Sequence, residues 1–489
     1  MSLSTQYSTG TYTRRIAVIK SQSIVEIKFS DSEAGNVVAV CPQVSLTSCE
    51  VSSGRVTYGG RLICTLVCSD EDGKLCRIQK GAEFAHYCDD DRLAPAHIGQ
   101  CTLACERTQL KREGSSYVVA VVVGAEISVY ASAERNMLTS ADGAIVRREN
   151  AKLYSAVTFS GESEVEDDFE CNAEDVLLPS AKALVTDCMC SSGVVKISGE
   201  LYLSLLALRG GKPVALDRVI PFKAEVACDG ALLERNAVCR ADIKEISVSA
   251  SVNEEKGKCS LDLVARLGFE GWYCEEEEVS LIADAFSPDC NLNLTYGEEN
   301  VSPCTGIKVY TEKVSGLCAV KAKLDYTCAF LAVTLPRAEF ARSEDGIEGS
   351  VCATLLYEQN GELRCTEVNL PFTAQLAGLN SGAEITVAVC GVNLRQRAEG
   401  ECEAEAVLKI ACADCEESGV KYVTNVEEGE KIEVNPSAIS VYIPSSGDDL
   451  WTTAKKLCQS PEEISATNPD LSFPLSGKER ILVYRPKTI

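Results

Sequence analysis

Hydrophobic and polar residues follow the same order in three separate stretches of the chain. Each stretch has an apolar run that begins at a glycine, a short turn signal, and a second run that ends on phenylalanine. The copies cover residues 60–84, 199–222 and 349–372. The turn dipeptides are Asp72-Gly73, Gly210-Gly211 and Asn360-Gly361. Because such dipeptides tolerate positive φ, each copy predicts a β-hairpin with a tight turn.

The first strand of each hairpin is predicted to be buried on both sides. Alternate residues of a strand point to opposite faces, and apolar residues occupy both faces in all three copies. One face carries Leu62, Leu66, Leu201, Leu205, Val351 and Leu355. The other carries Ile63, Val67, Tyr202, Leu206, Cys352 and Leu356, with hydroxyls at Thr65, Ser204 and Thr354. Strands of this kind are typical of the interior of a β-sandwich.

The spacing of the copies is that of domains. Gly60, Gly199 and Gly349 are 139 and 150 residues apart (199 − 60 and 349 − 199), well beyond the repeat lengths of solenoids. We therefore predict a mainly β protein with three tandem antiparallel domains, each a sandwich or barrel. Acidic segments such as Glu162–Glu170 are expected to be solvated loops between domains. The predicted bounds are 20–155, 165–295 and 300–415 for the domains and 416–435 for an acidic linker.

The C-terminal segment has a different pattern. Ile439–Ile443 reads as a strand, and helical spacing follows from Leu450 to Leu457. Ser460-Pro-Glu-Glu463 combines an N-cap serine, a proline at the first helical position and a glutamate at the third, which is a capping box. Arg480–Tyr484 returns as a strand. Residues 436–489 are predicted to form a small domain with the order strand, helix, helix, strand.

Charge and composition narrow the classes of partner. The chain has 489 residues, with 72 acidic and 47 basic side chains and a formal net charge of −25. Nucleic acids and anionic membranes attract basic surfaces, so neither is an expected partner. Residues 1–10 lack the basic and apolar regions of a signal peptide, and no stretch approaches the roughly 18 apolar residues of a membrane span. A cytoplasmic protein is expected.

The sequence offers few candidates for catalytic or metal-binding residues. The 26 cysteines lie largely where strands need small apolar residues, so most are expected to be reduced core residues. His86 and His97 flank the acidic residues Asp89–Asp91, where a metal site is conceivable, but a polar loop is the favoured interpretation. Cys412 and Cys415 form a C-x-x-C motif without the second pair of a zinc site or the βαβ context of a redox motif. We expect no catalytic residues, metal or cofactor.

The C-terminal segment resembles a LysM domain. Gly447-Asp-Asp-Leu-Trp451 precedes the first predicted helix and Asn468-Pro469 follows the second; the pattern departs at Ser476-Gly477, where a Pro-Gly is usual. The resemblance implies a groove between the two loops that binds a glycan or a protein partner. The groove residues it implies are Gly447, Asp448, Asp449, Trp451, Asn468, Pro469 and Asp470.

The upstream copies resemble SPOCS domains of firmicute spore-morphogenesis proteins. The second copy carries the likeness in Leu177–Val185, the hairpin from Gly199, and Val219-Ile-Pro-Phe222, whereas Glu83 replaces the proline in the first copy. Tandem SPOCS domains followed by one LysM domain are the arrangement of SipL-like proteins.

The resemblance implies a non-enzymatic scaffold in spore-coat assembly. Such a protein lies in the mother-cell cytoplasm at the forespore surface, and its LysM-like module recruits a coat-basement morphogenetic ATPase or another spore-coat protein. The alternative function is binding of peptidoglycan through N-acetylglucosamine. Long apolar strands also permit self-association through their edges.

Overall fold

The computed structural model describes residues 3–30, 36–70, 73–231, 233–253, 258–380, 382–432 and 439–485. The prediction of a mainly β protein is confirmed, since strands dominate and only two short helices are present among these residues. The strands are β1 (Ser4–Ser30), β2 (Asn36–Ser52), β3 (Arg55–Ser69), β4 (Leu75–Asp89), β5 (Ile98–Glu113), β6 (Ser116–Asp142), β7 (Ile145–Cys171), β8 (Asp175–Ser191), β9 (Val194–Arg209), β10 (Lys212–Ala227), β11 (Arg235–Asn253), β12 (Lys258–Phe286), β13 (Cys290–Val301), β14 (Cys304–Val320), β15 (Ala329–Arg342), β16 (Gly346–Gln359), β17 (Glu362–Gln375), β18 (Glu384–Ala398), β19 (Glu401–Cys415), β20 (Ser418–Lys431), β21 (Ile439–Tyr442) and β22 (Ile481–Tyr484). The helices are α1 (Leu450–Leu457) and α2 (Pro461–Thr467).

Three groups of six strands follow one circular order. The second group is a single sheet, β10-β9-β8-β11-β12-β7, whose end strands β10 and β7 lie side by side, so that it nearly closes into a barrel. The third group, β15-β16-β17-β14-β19-β18, follows the same circular order, and its end strands β15 and β18 also lie side by side. The first consists of two sheets, β2-β3-β4 and β1-β6-β5, with β2 beside β5 and β1 beside β4. We call these groups units one, two and three.

A cross-strand pair of glycine and phenylalanine recurs in the hairpin of every unit. Gly199 lies opposite Phe222 in the register of β9 and β10, and a Cβ on Gly199 would lie 2.4 Å from both the Phe222 Cζ and the Leu184 carbonyl oxygen. The same pairing joins Gly60 to Phe84 and Gly349 to Phe372. In the first two repeats the ring of the closing phenylalanine lies against the starting glycine, whereas at Gly349 the backbone of Glu339 and Phe340 fills that space.

The predicted hairpin turns are confirmed in the second and third copies. Gly210 and Gly211 have φ of 57° and 75°, and Asn360 and Gly361 have φ of 56° and 81°. Positive φ at both central residues is the signature of the type I′ turn, which matches the twist of the strands it joins. In the first copy Asp72 lies outside the described residues, whereas Gly73 has a φ of 77°.

The two apolar faces of the repeated strand enter two different cores. Inward residues such as Leu201 and Leu205 lie in the core of their own unit. The outward residues Val67, Leu206 and Leu356 occupy the same position in the three repeats, and all three lie in one buried cluster. Burial on both faces, predicted from the sequence, therefore arises because the units pack against one another through these strands.

The acidic segments expected between domains belong to paired strands. β7 continues through Glu162–Glu170 and pairs with β12 along its whole length. The run 416–435, predicted as a linker, contains β20, which pairs with β13, while residues 433–438 lie outside the described part of the chain. Buried residues such as Val165 and Val426 lie between the acids. The acids can point to solvent while the backbone stays in the sheet, because strand residues alternate between faces.

Ion pairs join unit one to the β13–β20 pair and join the units to one another. Arg135 in β6 donates to Glu299 in β13 at 2.6 Å, and the hydroxyl of Tyr422 in β20 donates to the same carboxylate at 2.6 Å. All three side chains are buried. Arg240 of unit two similarly bonds one carboxylate of unit one and one of unit three, Glu126 at 2.9 Å and Glu384 at 3.0 Å. A charge that is removed from water needs such partners, and at these contacts another part of the fold supplies them.

We predict that Gly199→Ala destabilises the protein by about 1–3 kcal/mol, because the methyl group would overlap the Phe222 ring and the Leu184 carbonyl. The measurement is urea-induced unfolding of the full chain followed by circular dichroism. Gly316→Ala is the matched control in β14, where the nearest atom to an added Cβ lies 3.9 Å away; its effect should stay within about 1 kcal/mol. Equal losses in the two variants would contradict the steric role of Gly199.

Candidate partner-binding site

The C-terminal module is held together by caps and by a short sheet. β21 and β22 pair antiparallel from Ile439 opposite Tyr484 to Tyr442 opposite Ile481. The Asp449 side chain caps α1 by accepting from the Thr452 amide at 2.6 Å. Ser460 and Glu463 form the predicted capping box at the start of α2. These local signals fix where each helix begins.

The module is docked on the end of unit two. The Trp451 ring meets Phe286 of β12 edge to face at 5.2 Å between centroids, and Arg147 of β7 lies over the same indole at 5.6 Å. The indole nitrogen donates to Asp284 at 2.9 Å, and Lys455 donates to that carboxylate at 2.8 Å. Phe286 also shares the module's buried core. Trp451 is therefore a docking residue between the module and the β7–β12 ribbon.

The charged form of Asp284 is favoured at this contact. Burial would raise its pKa, but the hydrogen bonds from Lys455 and Trp451 outweigh burial, so the pKa lies below its ordinary value. A carboxylate of this kind stabilises the docked state above its unfolded pKa, and the contribution is lost as the pH falls through the folded pKa.

Most of the side chains predicted to line a binding groove are engaged within the molecule. Asp448 is buried and accepts from Lys456 at 2.8 Å, which lowers the pKa of Asp448. Asn468 ties α2 to β22 by accepting from the Leu482 amide at 2.7 Å and donating to the Leu482 carbonyl at 2.9 Å.

Of the other predicted groove residues, three are engaged within the molecule and two are exposed. Asp449 caps α1, Trp451 contacts unit two, and the Gly447 amide donates to the Leu475 carbonyl at 2.7 Å. Pro469 and Asp470 are exposed. The structure thus brings the loop at 447–449 against residue 475, in the loop before β22, while Asn468 bonds to β22 itself.

A different surface of the module stands out. Four large apolar side chains of the sheet, and Ile443 just after β21, are 41–68% exposed. The register places Ile439 opposite Tyr484 and Val441 opposite Leu482. Opposed residues of an antiparallel pair project to the same face. We call this surface the apolar sheet face; its residues are Ile439, Val441, Ile443, Leu482 and Tyr484. Sequence reasoning identified these strands but missed the surface, although Ile481–Tyr484 is apolar at every position.

The candidate metal residues have other roles. His97 accepts from the Ala94 amide at 3.2 Å, and His86 packs edge to face against Tyr58 with centroids 5.7 Å apart. Among the described residues, no group of three or more His, Cys, Asp or Glu side chains is arranged to hold a metal ion. All 26 cysteines carry free thiols; Cys64 and Cys352 are buried, whereas Cys365 is exposed.

We predict that docking of the module weakens in acid. In a Trp272→Phe background, where Trp451 is the sole tryptophan, its fluorescence should shift to the red as the pH falls through the lowered pKa of Asp284, because the protonated carboxyl loses its ion pair with Lys455. Asp284→Asn should show the shift already at neutral pH and should lack this acid step. Asp470→Asn, which alters an exposed carboxylate of the same module, should behave like the parent. An unchanged acid step in Asp284→Asn would refute the assignment.

Within the described residues, no helix is long and apolar enough to cross a membrane. Comparison with known proteins finds no matching family model, no matching curated protein and no matching solved structure.

Proposed function

We propose that this chain is a non-enzymatic scaffold of spore-coat assembly, built from three SPOCS-like domains and a LysM-like module that recruits a protein partner. Two features support the domain assignment. The three units share a circular strand order and a Gly–Phe pair at the same register position, as expected for three copies of one domain. The module has the element order strand, helix, helix, strand, which is that of a LysM domain.

The apolar sheet face is the observation that carries the recruiting role. In the three units, a strand that is apolar on both faces buries both, because a neighbouring unit covers the second face. β22 is also apolar on both faces, with Ile481 and Val483 in the module core, but its second face is exposed. Exposed apolar patches of this kind mark interaction sites. The proposed function therefore assigns a partner protein to this face.

The charge of the module also favours an apolar contact with a protein partner. Residues 439–485 contain five basic and six acidic side chains, so the module is nearly neutral on a chain with a net charge of −25. Association through this module is therefore governed by apolar burial and shape more than by long-range attraction. The SPOCS and LysM resemblance implies a coat-basement morphogenetic ATPase or another spore-coat protein as the partner, and a scaffold on the mother-cell side of the forespore surface.

Binding of peptidoglycan is the alternative, and the geometry favours it less. The side chains of Asp448, Asp449, Trp451 and Asn468 are already engaged in caps, ion pairs and docking. A glycan would have to compete with these contacts in the loops at 447–449 and 468–470. The apolar sheet face offers few hydrogen-bonding groups to a sugar, whereas it suits the buried centre of a protein interface.

We predict that the double variant Val441→Lys and Leu482→Lys of the full chain binds the coat-basement ATPase about tenfold or more weakly, because two charges would be buried in an apolar contact. Binding of purified proteins is measured by surface plasmon resonance. Ser465→Lys is the matched control, since it adds a lysine at an exposed position of the same module, and it should bind as the parent does.

Two further experiments test glycan binding and self-association: sedimentation with purified peptidoglycan sacculi and analytical ultracentrifugation. The parent protein should not sediment with sacculi, and its mass in solution should not change with the double variant. Retention on sacculi without binding to the ATPase would replace the scaffold by a glycan-binding protein. Loss of an oligomer in the double variant would instead assign the apolar sheet face to contact between copies of this chain.

A further inference from the structure

Two cysteines face each other where the chain enters and leaves unit three. β14 begins at Cys304 and β19 ends at Cys415, and the two residues are directly opposed in the antiparallel register. Opposed residues of such a pair have Cα atoms about 4.5–5.5 Å apart. This range lies within the roughly 4.4–6.8 Å that a disulfide requires. The backbone therefore already has the spacing of a bridged pair.

The two thiols are also in contact and are not equivalent. The hydrogen bond between the two side chains lowers the pKa of Cys304 and raises that of Cys415. Cys304 is half-buried, whereas Cys415 is only 1% exposed. The thiol with the greater thiolate character is thus the one that a solute can reach.

The C-x-x-C motif that stands out in the sequence has a different geometry. Cys412 and Cys415 lie three positions apart in the continuous strand β19, and residues separated by an odd number along a strand point to opposite faces. Cys412 belongs to the core of unit three, whereas Cys415 lies in a separate cluster with Trp272 and Cys274. The sequence neighbour of Cys415 cannot be its partner without rearrangement of the strand.

We propose that Cys304 and Cys415 form an oxidation site that closes a disulfide at the neck of unit three. The oxidant is a low-molecular-weight disulfide. The Cys304 thiolate attacks one of its sulfur atoms, the S–S bond of the oxidant breaks, and one thiolate leaves and takes up a proton. Cys415 then loses its proton and attacks the Cys304 sulfur of the mixed disulfide, which expels the second thiol. Two protein thiols are oxidised and one small disulfide is reduced to two thiols.

The bond would act on the whole of unit three. Every strand of this unit lies between residues 304 and 415, so the disulfide closes the unit into one covalent loop. Such a link restricts the unfolded chain more as the loop grows longer. It also ties β14 to β19 next to Pro303, where the paired ribbon of β13 and β20 joins the unit. Oxidation therefore closes unit three at the point where the chain enters and leaves it.

The test starts from fully reduced full-length protein in buffers of increasing oxidised-to-reduced glutathione ratio. Samples are quenched in acid, alkylated, digested without reduction and mapped by mass spectrometry. The expected product is a peptide that links Cys304 to Cys415, with a loss of about 2 Da for the bond because two hydrogens leave. Mixed disulfides at the exposed Cys76 and Cys365 show that the oxidant is active. Free Cys304 and Cys415 in such samples would overturn the proposal.

Cysteine-to-serine variants show which two cysteines form the bond. Cys412→Ser should form the link to the same extent as the parent, whereas Cys304→Ser should lose it. Oxidation should raise the urea midpoint of the parent and of Cys412→Ser, reversibly with dithiothreitol, and should leave that of Cys304→Ser unchanged. A bond between Cys412 and Cys415, or between Cys304 and Cys274, would refute the assignment. An unchanged midpoint in protein that carries the bond would refute the stabilising role.

Discussion

Burial of one strand on both faces is the constraint on which the architecture depends. The repeated strand sends Leu201 and its counterparts into the core of each unit and sends Val67, Leu206 and Leu356 into a core that all three units share. Neither face can be exposed without a large loss of apolar burial. The three units are thereby held together, and Arg240 of unit two adds ion pairs to Glu126 of unit one and Glu384 of unit three.

Structure was predicted correctly from the sequence wherever neighbouring residues determine the backbone conformation. The period of two gave the strands, Asn360-Gly361 gave a turn, and the capping box at Ser460 gave a helix start, because each of these depends on neighbouring residues. The acidic segments were harder to interpret. Glu162–Glu170 has the composition of a loop, but its strand is held by pairing with residues about a hundred positions away in β12. The amino-acid composition of a segment does not show that it pairs with a strand so far away in the sequence.

In the candidate site, too, local signals were the reliable ones. The caps and the order of the elements followed from local signals, whereas the role of Trp451 depends on Asp284, far away in the sequence. A family pattern places residues in loops but does not say whether another part of the same chain already occupies them. The apolar sheet face was visible in principle, since the two-sided apolar pattern of β22 resembles that of the repeats.

The docked position of the module has a mechanical consequence. Trp451 and Lys455 are anchored at Asp284, close to the end of β12, and β12 pairs with β7 over 27 residues of β7, roughly 90 Å of extended chain. A pull on the module along these strands loads the whole ladder of hydrogen bonds in shear, so many bonds resist together. A pull across the strands would open them one at a time. The ribbon therefore resists a pull along its strands better than a pull across them.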